Sequence, residues 1–249
     1  MIYHGIDFTY CNASCDVDPL NCTVILDSDH LLMLNNKRAY KELPIIIFMI
    51  FIQLLGMIGN LFVIVVYAFK KNKSRENNFI LTLSVMDLTS CVFIHPYVIY
   101  KLFEFYNPDK DVCRIFEFFT SLSISSEVML LIVIAVDRVF AVYRPFETKK
   151  KALRRNLWLL GFSAGMSIFS AMPILFMVGH NTVTMEIAEG FSLQTKVCGY
   201  SDLYEGSQAQ TIYRVLLFLY LMSCLVTLST LYACMVFRLV KRQRQVHAS

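Results

Sequence analysis

Apolar residues in this chain come in long blocks rather than at alternating positions. Residues 43–69, 157–179 and 215–237 hold no Asp, Glu, Lys or Arg; residues 77–100 hold one, Asp87; residues 115–136 hold two, Glu117 and Glu127. A helix crosses the hydrocarbon of a bilayer in about 20 apolar residues. The pattern therefore predicts five spans and an all-α, polytopic membrane bundle. It divides the chain into a polar head, 1–42, a five-helix part, 43–238, and a basic extension, 239–249.

Charge orients the bundle. With the amino terminus outside, the inner segments hold 15 of the 23 Lys and Arg residues, and basic residues gather on the cytoplasmic side of membrane proteins. The start, Met1-Ile-Tyr-His-Gly5, lacks the basic and apolar regions of a signal peptide, so the first span is expected to translocate the head itself. A net charge of +4 without interleaved basic and aromatic residues gives no reason to expect nucleic acid. The head carries two glycan acceptor triplets, at Asn12 and Asn21, and a third triplet at Asn72 falls inside, where it should stay bare. Cys11, Cys15 and Cys22 allow one disulfide and leave one thiol over, and the sequence does not say which.

The first span is expected to start near Pro44, where a missing N–H costs nothing. Near its centre lie Gly56, Gly59 and Asn60, an amide that in hydrocarbon seeks a partner on a neighbouring helix. The second span should kink at Pro96. Asp87 lies about 15 Å from its inner end at 1.5 Å per residue, and Glu127 of the antiparallel third span reaches the same depth. A lone acid at mid-bilayer costs roughly 2.5–3.5 kcal/mol on the insertion scale. The two are therefore expected to face each other and share a proton or hold a small cation; a protonated Glu127 bonded to its own helix is the plainer alternative. Residues 180–211 form a long acidic outer loop containing Glu186, Glu189 and Cys198. Cys113, at the outer end of the third span, faces the same oxidising space, and a bridge to Cys198 would tie the loop across the bundle mouth. The third span ends inside on Asp137-Arg138, followed by Arg144-Pro145-Phe146. A carboxylate beside a guanidinium suits a membrane–water boundary. Asp87, Glu127 and His95 make no nucleophile–base or metal-ligand set, so an enzyme is not expected.

Taken in order, these residues resemble the first five helices of a rhodopsin-like (class A) G-protein-coupled receptor. The resemblance rests on Gly59-Asn60, Leu83-Ser-Val-Met-Asp87, Cys113 standing 25 residues before Arg138, Asp137-Arg138-Val139, Trp158, Cys198 and Tyr232, and covers about residues 45–240. It implies a Cys113–Cys198 disulfide and a plasma-membrane receptor with its amino terminus outside. Arg138 would be a switch held by Asp137, with Phe146 after Pro145 offered to a heterotrimeric G protein and Tyr232 low in the fifth span. No cofactor is implied beyond a sodium ion at Asp87. Glu127 stands where the family usually has serine, which favours a paired-acid site instead. Cys224 stands near the position of a missing mid-helix proline. Thr120 occupies the place where amine receptors carry an aspartate, which argues against an amine. The acidic loop, with Glu186 and Glu189, leans towards a peptide, and a basic one. The helix 6 Cys-Trp-x-Pro and helix 7 Asn-Pro-x-x-Tyr motifs do not occur in these residues. The expectation is a fragment with two more spans beyond Ser249, the alternatives being a truncated isoform that dampens a full receptor or a transporter subunit using Asp87 and Glu127.

Overall fold

The computed structural model describes residues 13–15, 22–24, 28–69, 75–144, 147–188 and 191–247. Among the described residues, five helical segments are long and apolar enough to cross a membrane, as the blocks predict. In chain order the elements are β1 (Ala13–Cys15), β2 (Cys22–Val24), α1 (Ser28–Ala68), α2 (Arg75–Thr89), a π-helical turn (Ser90–Ile94), α3 (His95–Phe103), α4 (Lys110–Tyr143), α5 (Lys149–Met177), β3 (Val178–Ala188), β4 (Phe191–Tyr200) and α6 (Gln208–His247). The short pair β1–β2 is antiparallel with Cys15 opposite Cys22.

The first helix starts sixteen residues before the expected Pro44, which lies inside α1. Proline costs a helix one hydrogen bond and a clash, and contacts made by the added turns offset that cost. Asn35 and the Tyr106 backbone exchange two hydrogen bonds, 2.9 and 3.4 Å. The Arg38 guanidinium lies 3.7 Å from the centre of the Phe105 ring. Just before Pro96, where a kink is expected, the helix adopts the π-turn, which opens the helical hydrogen-bond ladder where proline cannot donate.

The hub is α4. Ser125, Met129, Val133 and Asp137 are all buried and recur every fourth residue, so one face of this helix is a continuous core stripe. Opposite it, α5 buries small residues, Ala152, Ser163, Ser167 and Ala171. Small side chains let helices approach closely where dispersion rather than water exclusion drives association. By contrast, none of the most apolar stretch of α1 and only 6% of that of α6 is buried within the chain. Trp158 is 76% exposed on α5. At mid-depth Ser125 Oγ lies 2.9 Å from Ser170 Oγ and 3.0 Å from the Tyr220 hydroxyl, while the Tyr213 hydroxyl donates to the Ser170 carbonyl at 2.9 Å. These bonds tie α4, α5 and α6 together.

A close approach joins α1 to the π-turn. A Cβ built on Gly56 would sit 2.7 Å from the Cys91 Sγ, closer than real contacts allow. Gly56→Ala is therefore expected to lower stability by about 1–3 kcal/mol as an overpacked contact. Adding Cys91→Ala should restore most of it. Thermal unfolding of the two variants in detergent checks this, and an unaltered Gly56→Ala midpoint would refute it.

The outer loop is a β-hairpin, not an irregular loop: β3 and β4 pair antiparallel from Val178↔Tyr200 to Ala188↔Phe191. Strict alternation of polar and apolar residues from Thr182 to Ile187 was the available signal. Beyond the hairpin, the Asp202 carboxylate accepts from the Thr182 N–H at 2.7 Å and the Thr182 hydroxyl at 2.8 Å. These bonds, the backbone one first, hold the carboxyl below its ordinary pKa, with help from Lys196 and His180. A carboxylate depressed in the folded state contributes above its unfolded pKa, and the contribution fades as pH falls through the depressed value. Amide exchange at Thr182 is expected to accelerate, relative to its neighbours, on acidification through that window. Asp202→Asn should abolish the effect.

Candidate functional site

At the outer end of α4, Asp109 caps the helix, its Oδ1 accepting from the N–H groups of Asp111 and Val112 at 2.9 Å each. Four residues on, Cys113 is bonded to Cys198 of β4, with the Cα atoms 5.8 Å apart. Arg114 Nε donates to the Val178 carbonyl at 3.1 Å, and His180 Nε2 lies 2.8 Å from the Pro108 carbonyl. The hairpin is thus fixed to α4 at its base, as the sequence leads one to expect. Behind it, Tyr97 stacks on Phe116 at 4.4 Å, and Lys101 pairs with Glu117. Thr120 is half-buried and its hydroxyl is used within its own helix, donating to the Phe116 carbonyl at 2.7 Å. Asn12, Asn21 and Glu189 lie outside the described residues, and Glu186 is described in its backbone alone.

At mid-membrane Glu127 finds partners other than the expected one. Its Oε1 accepts from Ser90 of the π-turn at 2.7 Å and from Ser123 at 3.1 Å, and the two serine oxygens are 2.6 Å apart. Ser90 also reaches the Met86 carbonyl at 3.1 Å. Two hydroxyls carry two protons, fewer than these four contacts require. A proton on Glu127 would supply a third, and a cation among the oxygens would hold them together without one. Asp87 lies within electrostatic reach of Glu127, and Cys91 of both. Among the described residues no hydrogen bond joins the two acids directly. Asn60 does not cross to a neighbour: it donates to the Gly56 carbonyl of its own helix at 3.0 Å. A polar side chain one turn from its own unbonded carbonyl lone pair finds that acceptor first. Ser90 and Ser123 were missed by sequence reasoning. Their spacings, three residues after Asp87 and four before Glu127, put each on its acid's face and could have found them.

At the inner end Asp137 is buried, and its Oδ1 accepts from Asn156 Nδ2 at 2.9 Å and from Arg155 at 3.0 Å, both on α5. Arg155 also pairs with Glu147 and lies 4.2 Å from the centre of the Phe140 ring. The acid expected to hold its neighbour Arg138 thus also clasps α5 to α4. Nothing in a run of Arg154-Arg155-Asn156 distinguishes the inward residues before the packing face of α5 is known. Tyr232 is 42% exposed on α6. Pro145 and Phe146 lie outside the described residues.

The model of the 7 transmembrane receptor (rhodopsin family) matches residues 59–249, more than half of the chain. The chain belongs to that family. A rhodopsin-family receptor chain is a multi-pass membrane protein, in keeping with the five spans, and the expected fold class stands. The receptor chain is 30% identical to the G-protein coupled receptor homolog K2 of swinepox virus over 62% of its own length and 38% of that protein's. It is 31% identical to the dog cholecystokinin receptor type A over 59% of its length and 37% of that receptor's. With the type-1 angiotensin II receptor B of Xenopus laevis it shares 28% identity over 53% of its length and 38% of the relative's. The matched region thus spans less than two fifths of each of these relatives.

Proposed function

We propose that this chain supplies the mouth and part of the transducing end of a plasma-membrane receptor for an extracellular peptide, with the amino terminus outside. The observation that carries the reading is α4 itself, a single rod joined to the outer hairpin through Cys113–Cys198 and to the inner clasp through Asp137. A ligand that displaces the hairpin acts on the same rigid body that bears Asp137 and Arg138. Asp137-Arg138, Pro145, Phe146 and Tyr232 are the residues proposed to face a heterotrimeric G protein, and Asn12 and Asn21 are proposed glycan sites. The peptide is supported by relatives named for cholecystokinin and angiotensin II, and by Thr120, which offers no negative charge to an ammonium group.

A chimera in which residues 45–240 replace the matching part of a cholecystokinin receptor tests this directly. The expected result is peptide-evoked G-protein activation from the cell surface. A chimera that reaches the surface and responds to biogenic amines but to no peptide would overturn it. A reporter fused after Ser249 should read out in the cytoplasm; an extracellular signal reverses the orientation.

The acids form a second proposed site. Asp87, Ser90, Ser123 and Glu127 offer only hard oxygen donors, which suit a proton or a sodium ion, whereas Asn60 is engaged elsewhere. Thermal stability is expected to respond to sodium and to pH, and Glu127→Gln to flatten both responses. An undiminished response in the variant removes Glu127 from the site.

A further inference from the structure

The inner ends of α4 and α6 enclose a cleft of about 220 Å³ lined by Val142, Tyr143, Arg238, Lys241, Arg242 and Gln245. Three cations face one apolar wall. The Arg238 guanidinium lies 5.1 Å from the centre of the Tyr143 ring, a cation–π contact that holds it on that wall. No described carboxylate pairs with Arg238, Lys241 or Arg242; the described acids at this end, Asp137 and Glu147, are taken up by Arg155. Three positive charges so close together, without a carboxylate partner among the described residues, repel one another and favour a shared anion. Tyr143 and Val142 close the last turn of α4 at the membrane boundary, beneath the uncharged run of α6.

The geometry points to a binding site in this cleft for the phosphorylated headgroup of an acidic inner-leaflet lipid, an inositol phospholipid, with Arg238, Lys241 and Arg242 on the phosphates and Tyr143 against the ring and glycerol. Arg is suited to bidentate phosphate contacts and Lys to a point-charge contact, and basic clusters just inside a span attract such lipids. The placement in the inner leaflet rests on the proposed orientation; the binding test does not.

The test uses the full chain in nanodiscs of phosphatidylcholine containing a little photoactivatable phosphatidylinositol 4,5-bisphosphate, where both leaflets carry the probe. Cross-links are expected on Tyr143 and residues 238–245. Replacing Arg238, Lys241 and Arg242 with alanine should weaken labelling about a hundredfold. The same charge change at Lys149, Lys150 and Lys151 should cost no more than about threefold. Arg238→Glu alone, on an exposed stretch of helix, should also reduce labelling and guards against misfolding of the triple variant. Equal losses from both triple variants, or cross-links confined elsewhere, overturn the site. Competition by soluble inositol 1,4,5-trisphosphate at the lipid's own concentration would overturn the lipid as its occupant and assign a free phosphate ester instead.

Discussion

Asp137→Ala is expected to lower the stability of the chain by about 3 kcal/mol, the low end of the roughly 3–5 kcal/mol seen when one partner of a buried ion pair is removed. The side chain of Asp137 is 4% exposed and that of Arg155 17%, so the pair is largely but not wholly withdrawn from solvent. The substitution leaves Arg155 with Glu147 as its one carboxylate among the described residues and strips the buried Asn156 amide of its acceptor. An unpaired buried donor costs about 1–3 kcal/mol by itself, so most of the penalty is what the deletion leaves behind rather than the worth of the pair. Replacing Arg155 with methionine in the same background should recover part of the loss. A double-mutant cycle on the thermal midpoint in detergent measures the coupling. Additive effects of the two changes would show that the clasp is not an energetic unit.

Cys113→Ser or Cys198→Ser should have the next largest effect, through the hairpin. The bond closes a loop with a sequence separation of 85 residues, and the chain-entropy estimate for a loop of that order is about 4–5 kcal/mol. That figure assumes a free chain. Here α4 and α5 already hold both arms of the loop in one bundle, so the effect should be nearer 2 kcal/mol. It should fall on the hairpin, which would keep its ties through Arg114, His180 and the backbone pairing of Tyr106 and Asn107 with Val197 and Lys196. Proteolysis between residues 185 and 195 should become faster while the helices keep their far-ultraviolet signal. Unchanged cleavage would mean that those polar ties suffice without the bond.

The spans were legible in the sequence because hydrocarbon imposes a length and forbids charge, and both leave marks that need no knowledge of neighbours. Cys113 and Cys198 were legible for the same reason, since their depth followed from the spans. The 28–43 extension of α1 was not. Its composition is polar, and what keeps it helical is Asn35 on Tyr106 and Arg38 on Phe105, contacts some seventy residues away. The partners of Glu127 were half legible: depth brought Asp87 level with it, but the rotation of each helix decided that Ser90 and Ser123 arrive first. Asn156 illustrates the remaining limit. Whether an amide at the start of a span faces lipid or a buried aspartate depends on which side of α5 carries the seam of small residues.

The Ser125–Ser170–Tyr220 and Tyr213 contacts have a mechanical consequence. Among the described residues these are the side-chain hydrogen bonds by which α6 grips its neighbours near mid-membrane and above, while below them the stacking of Arg238 on Tyr143 is a softer tie. The tyrosines make a fulcrum. Eighteen residues separate Tyr220 from Arg238, an arm of about 27 Å at 1.5 Å per residue, so a tilt of about 10° at the fulcrum swings the inner tip by roughly 5 Å. Displacements too small to notice at the hydroxyls would arrive at the cytoplasmic face as the width of a helical turn.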